Sequence, residues 1–250
     1  MNVRGKVIAV TGAAGGIGKA IVGKLAENGA TVWLLDLKAD VCTQLSEELR
    51  AVGQTAYAAE LDVTEEVSWK KTIDMIVRTS GRLDAIVNLA AINIRKPVEE
   101  MCKDEWMKMM EVNTGSVFLS CKFAIPVMRR QGGGSIINIS SMCGLIGHRF
   151  TPEAYTASKG AVTMLTKAIA SRYAHEGIRC NSVHPCTVDT PFVAAVMKDP
   201  VKRQQRIDEV PLGRLATVDD VANAVLFLAS EEASFINGEA LTVDGGVTCC

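Results

Sequence analysis

The sequence predicts a single α/β domain built as a doubly wound parallel sheet with helices on both faces. Three observations predict it. Short β-branched runs alternate with helix-period segments from one end to the other, the order that a parallel sheet with crossover helices produces. A glycine-rich string joins the first of these runs to the first helical segment, the setting of a phosphate-binding turn. A chain of 250 residues with 48% hydrophobic composition is long enough to bury one sizeable core.

The elements follow in order. KVIAVT (6–11) is the first strand, and the amphipathic stretch from Ile17 to Asn28 is the first helix. TVWLLD (31–36) is the second strand, closed by Asp36; Asp40 to Val52 is helical, and TAYAAELD (55–62) is the third strand. Helical period returns from Glu65 to Thr79 before LDAIVNLA (83–90), and again as one long stretch from Lys103 to Arg130 before SIINIS (135–140). Tyr155 to His175 precedes RCNSVHP (179–185), and Val218 to Ala229 precedes the seventh strand, EALTVDG (239–245). Between Thr187 and about Ala216 lies a long interruption with three prolines, several charges and a short helical pattern, which reads as a loop or lid. An order of this kind places ligands at the carboxyl ends of the strands.

Charge and cysteine usage exclude several classes. Lys plus Arg total 27 against 28 for Asp plus Glu, a net charge of -1 without long like-charge blocks, so no nucleic-acid surface is expected. The start, MNVRGKVIAVTG, lacks a signal-peptide h-region and no apolar run reaches bilayer length, which predicts a soluble, cytoplasmic protein without membrane contact. Eight cysteines are scattered without a CxxC pair, which argues against a structural metal or a disulfide framework.

Two motifs carry chemistry. In TGAAGGIGKAIV the glycines Gly12, Gly16 and Gly18 let the backbone turn tightly and approach a pyrophosphate at the helix N-terminus opened by Ile17. Asp36 follows about 20 residues later, where a carboxylate would accept hydrogen bonds from the adenosine ribose and repel a 2′-phosphate. NAD is therefore favoured over NADP, although Lys38 offers some compensation and Asp36 also suits a strand-ending turn. In YTASKGAV, Tyr155 and Lys159 stand at i and i+4 on one helix face. A cation beside a phenol favours the phenolate, so the pair is a candidate acid/base.

TGAAGGIG, YTASK and NISS together resemble the short-chain dehydrogenase/reductase family over essentially the whole chain. The resemblance implies a Rossmann-like sheet of seven strands, a nicotinamide cofactor, a secondary alcohol or ketone as substrate, and a homotetramer. It places the catalytic serine of GSIINISS at Ser141 and the asparagine of EVNTGSVFLS at Asn113, which shapes the active-site helix and helps bind a relay water. Tyr155 becomes the general base, with Lys159 lowering its pKa and bonding the nicotinamide ribose. By the same likeness Asp62 and Val63 of LDVT contact adenine, Asn88 keeps its cofactor position, and Pro185, Val188 and Thr190 contact the nicotinamide end. Three departures stand out: NLAA (88–91) replaces NNAG, Cys186 replaces a glycine after Pro185, and the Ser141–Tyr155 interval is about one residue longer.

The substrate stays open at this level. Met142, Cys143, Asn93, Phe150, Phe192, Val193, Val196 and Met197 are expected to wall the pocket, with Arg95, His148 and Arg149 near its mouth. Alicyclic or steroid alcohols and polyols or sugar acids fit such a wall, with 3-oxoacyl thioesters behind them. Two further readings are a non-catalytic NAD-binding module and a metal-dependent dehydrogenase using His184 and Cys186. The first leaves Asn113, Ser141, Tyr155 and Lys159 without purpose, and the second lacks a third ligand.

Overall fold

The computed structural model describes residues 1–190 and 198–249. Its strands are β1 Val7–Thr11, β2 Thr31–Asp36, β3 Ala56–Glu60, β4 Ala85–Asn88, β5 Gly134–Ile139, β6 Ile178–Pro185 and β7 Ala240–Val243. Its helices are α1 Gly16–Glu27, α2 Ala39–Ala51, α3 Glu66–Ser80, α4 Lys103–Met110, α5 Ser116–Arg130, α6 Glu153–Tyr173, α7 Pro200–Asp208 and α8 Val218–Ala229. The strands are all parallel and ordered β3-β2-β1-β4-β5-β6-β7. This is the doubly wound sheet that the alternating pattern predicts.

Successive side chains of a strand serve opposite faces, and β1 shows it. Ile8 and Val10 join Ile21, Val22 and Leu25 of α1 and Val221 and Val225 of α8 in one apolar layer. Val7 and Ala9 join Trp69 and Ile73 of α3 and Val162 of α6 in the other. Burial on both faces explains why VIAVT shows no polar alternation. Each large aliphatic side chain removed from water stabilises the fold by roughly 1.5–3 kcal/mol.

Strand order reverses between β1 and β4, and a crevice opens there at the carboxyl ends of the strands. The boundaries that differ from expectation are set by side chains reaching across this crevice. LDAIVNLA pairs only as far as Asn88, because the Leu89 and Ala90 amides donate to the Thr11 hydroxyl at 3.1 and 3.2 Å. TAYAAELD stops at Glu60, and Asp62 closes a turn by accepting from the Thr64 amide. The expected single helix from Lys103 to Arg130 is divided by a π-helical turn, Glu111–Gly115. The interruption after β6 is tied at its base by a bridge between Val188 and Ala216, and α7 within it is capped by Asp199. Phe192, Val193, Val196 and Met197, expected in the pocket wall, lie outside the described residues.

Candidate active site

The turn after β1 packs closely on the loop after β4. A methyl group on Gly12 (φ +68°) would stand 3.0 Å from the Ala90 nitrogen, and one on Gly18 would stand 2.3 Å from the Gly12 carbonyl. Side chains are therefore excluded where the backbone must turn. The N-cap of α1 is Gly15, and no acidic residue occupies its first turn. First-turn amides lack intrahelical partners and the helix dipole favours negative charge, so an anion is welcome there.

Gly12, Gly16, Ile17 and Gly18 line a cleft of about 620 Å³. On the β2–β3 side it is bounded by Asp36, Leu61 and Val63; on the β5–β6 side it is bounded by Ser141, Tyr155, Lys159, Pro185, Val188 and Thr190. The Asp36 carboxylate accepts from the Ala14 amide at 3.1 Å and the Lys38 amide at 3.0 Å, which fixes it at the cleft edge. An anion-receptive turn, a carboxylate at one end and an apolar slot between Leu61 and Val63 fit a dinucleotide.

Three predicted catalytic side chains converge at the other end. Ser141 follows β5 and its hydroxyl accepts from the Cys143 amide at 3.2 Å, which leaves its own proton free to donate. One turn of α6 separates Tyr155 from Lys159, whose Nζ lies 5.7 Å from the phenol ring centre. Lys159 donates to the Ile139 carbonyl at 2.8 Å, tying α6 to the end of β5.

Burial pushes the Tyr155 phenol above its usual range, and the Arg95 cation opposes that rise. Lys159 is itself pulled down from 10.5 to about 8 by burial. Burial thus disfavours the charged form of both groups.

Asn113, Asp62 and Asn88 stand behind the cleft wall. Asn113 occupies the π turn, accepts from the Ile92 amide, and donates to the Ile92 carbonyl and the Ser158 hydroxyl. It thereby joins the loop after β4 to α6, a positioning role. The Asp62 carboxylate is engaged by Thr64, and Asn88 donates across the sheet to Asn138 at 2.8 Å. The NLAA departure brings no strain, since no non-glycine residue among the described ones has positive φ. Cys186 lines the cleft half-buried, and burial raises its thiol pKa, consistent with a packed small residue.

Several supporting residues escaped the sequence reading. His184 bonds the Ser141 carbonyl through Nδ1 and the Ser182 hydroxyl through Nε2, each at 2.8 Å, so it orients the serine and has no nitrogen left for a metal. Gly144 follows Ser141 closely, and a methyl there would stand 2.5 Å from the Ser140 hydroxyl and 2.8 Å from the Lys159 carbonyl. Thr11 holds the β4 loop as described. Its place beside the glycine string was the one available signal, because the other contacts join segments far apart in the chain.

At the mouth, His148 bonds Thr151 at 2.9 Å and Glu209 at 3.2 Å and is 12% exposed. Phe150 lies between two guanidiniums, Arg149 at 4.4 Å and Arg206 at 4.1 Å from its ring centre. Arg206 also pairs with Glu209 at 3.0 Å and lines the cleft with Phe150, Met142, Cys143, Asn93 and Arg95. No helix among the described residues is long and apolar enough to cross a membrane.

Comparison with known proteins agrees with this geometry. The family model described as Enoyl-(Acyl carrier protein) reductase matches residues 12–248. A cyclopentanol dehydrogenase of Comamonas sp. (strain NCIMB 9872) is 43% identical over 247 residues, covering 99% of this chain and 98% of the relative. A 2,5-dichloro-2,5-cyclohexadiene-1,4-diol dehydrogenase of Sphingobium indicum is 39% identical, covering 98% and 97%. The solved structure of a gluconate 5-dehydrogenase from Burkholderia cenocepacia J2315, in complex with NADP and tartrate, matches with a TM-score of 0.96 at 34% identity, covering 100% of this chain and 97% of that one. Sheet order, cleft and full-length similarity point the same way: this chain belongs to the short-chain dehydrogenase/reductase family of nicotinamide-dependent oxidoreductases.

Proposed function

We propose that this chain is an NAD-dependent dehydrogenase that interconverts small alicyclic secondary alcohols and their ketones. The observation that carries this is the convergence of Ser141, Tyr155 and Lys159 at a cleft end walled by Met142, Cys143 and Phe150. The two relatives named for ring alcohols support the same substrate class. The preference for NAD is supported by the Asp36 carboxylate, which would repel a 2′-phosphate at the ribose end.

A bound nicotinamide would supply the hydride acceptor for the carbinol carbon. Tyr155 takes the alcohol proton at its phenol oxygen, and Ser141 donates its free proton to the substrate oxygen and keeps it facing the phenol. The Lys159 ammonium, present below about pH 8, offsets the charge that forms on Tyr155. One of its hydrogens is committed to Ile139, and the others are free for ribose hydroxyls. His184 and Asn113 hold Ser141 and the Ile92 loop, and Val188 and Thr190 close the nicotinamide end. Positioned proton transfer of this kind contributes roughly 10²- to 10⁴-fold. We further infer a homotetramer, supported by the exposed Phe118 on α5 and Met164 on α6.

A 3-oxoacyl thioester reductase is the second reading, favoured by the 35% identity to a 3-oxoacyl-[acyl-carrier-protein] reductase of Thermotoga maritima. The test is NADH formation from cyclopentanol and cyclohexanol, with NAD and separately NADP, and consumption of NADH with a 3-oxoacyl thioester. Turnover of the ring alcohols with NAD, reduced at least about 100-fold in Tyr155→Phe with cofactor binding retained, is the expected result. A variant keeping more than about a tenth of its activity would remove Tyr155 from the role of base.

A further inference from the structure

We propose that the alcohol this cleft selects carries a carboxylate on its ring, received by the Arg95 guanidinium. The inference rests on the ring-alcohol reading above and deepens it.

Charge around the cleft is unequally placed. Asp36 is the one acidic residue among the described residues that line it, and it stands at the ribose end. The substrate end holds Arg95, Lys159, His148 and Arg206. Arg206 and His148 both bond the Glu209 carboxylate. Arg95 is different. Among the described residues its side chain enters no hydrogen bond or ion pair.

The guanidinium is also within electrical reach of the chemistry. It lines the same cleft as Tyr155, and its charge favours the ionised form of that phenol. An anion held on Arg95 and a hydroxyl held on Tyr155 are thus ends of one small molecule. Asn93, in the same loop, lines the cleft with it. Met142, Cys143 and Phe150 line the same cleft and supply an apolar wall for the ring.

The experiment compares trans-4-hydroxycyclohexanecarboxylate with its methyl ester, which keeps the ring and hydroxyl and removes the charge. We expect kcat/KM for the acid to exceed that for the ester by about tenfold or more, as a charge-assisted pair allows. The ratio should fall toward one in Arg95→Gln, stay partly in Arg95→Lys, and shrink as ionic strength rises. Any effect of Arg95 on the phenol acts on both substrates alike and cancels in the ratio. Equal turnover of acid and ester by the wild type, or a preference that survives in Arg95→Gln, overturns the inference and leaves the ring-alcohol reading standing. No turnover of either compound or of cyclohexanol overturns both.

Discussion

Lys159→Met separates what the fold tolerates from what the chemistry needs. The ammonium is 3% exposed, and its one hydrogen bond is to the Ile139 carbonyl at 2.8 Å. Burial lowers its pKa from 10.5 to about 8. At roughly 1.4 kcal/mol per pKa unit, that depression opposes folding by about 3 kcal/mol at neutral pH. Methionine removes this penalty but leaves the Ile139 carbonyl without its donor, which costs about 1–3 kcal/mol at every pH. The pH dependence distinguishes the two contributions. Between about pH 8 and pH 10.5 the unfolded chain holds a proton that the folded chain has released, so wild-type stability rises relative to the variant as pH rises. Below that window the wild type carries the full penalty; above it the penalty is gone. Urea unfolding of both proteins at pH 7 and pH 10.5, at one protein concentration, should show the wild type gaining about 3 kcal/mol on the variant. A gap that is the same at both pH values would refute the argument, since only the constant hydrogen-bond contribution would then remain. Turnover at pH 7 should be largely lost in the variant, because nothing replaces the cation beside the Tyr155 phenolate.

Two other substitutions probe the site. Gly144→Ala inserts a methyl 2.5 Å from the Ser140 hydroxyl and 2.8 Å from the Lys159 carbonyl, so thermal unfolding should show a loss of about 1–3 kcal/mol with reduced turnover; a wild-type melting curve would mean that the backbone yields there freely. Asp36→Ser should raise the NADP/NAD ratio of kcat/KM by about tenfold or more, and an unchanged ratio would show that selection at the ribose is made elsewhere.

How far the sequence reaches varies with the origin of each feature. TVWLLD and the helix Val218–Ala229 begin and end where local pattern says, the latter because the Thr217 and Asp220 capping box is local. The glycine string, Asp36 and the Tyr155–Lys159 pair were equally legible, since a tight turn and a helix repeat bring near neighbours together whatever surrounds them. The division of Lys103–Arg130 was not, because Asn113 is held by Ile92 and Ser158, 21 and 45 residues away. Nor was the Glu209 clasp on His148, which spans 61 residues.

The sequence by itself thus determined the alternation of strands and helices, the anion-receptive turn and the side-by-side placement of phenol and ammonium, all consequences of short-range backbone geometry. Only the tertiary structure decided the burial of that pair, the supporting bonds of Ser141 and which charged groups line the cleft. Burial and electrostatic reach depend on which distant segments close over a side chain, and that is a property of the assembled sheet and its loops.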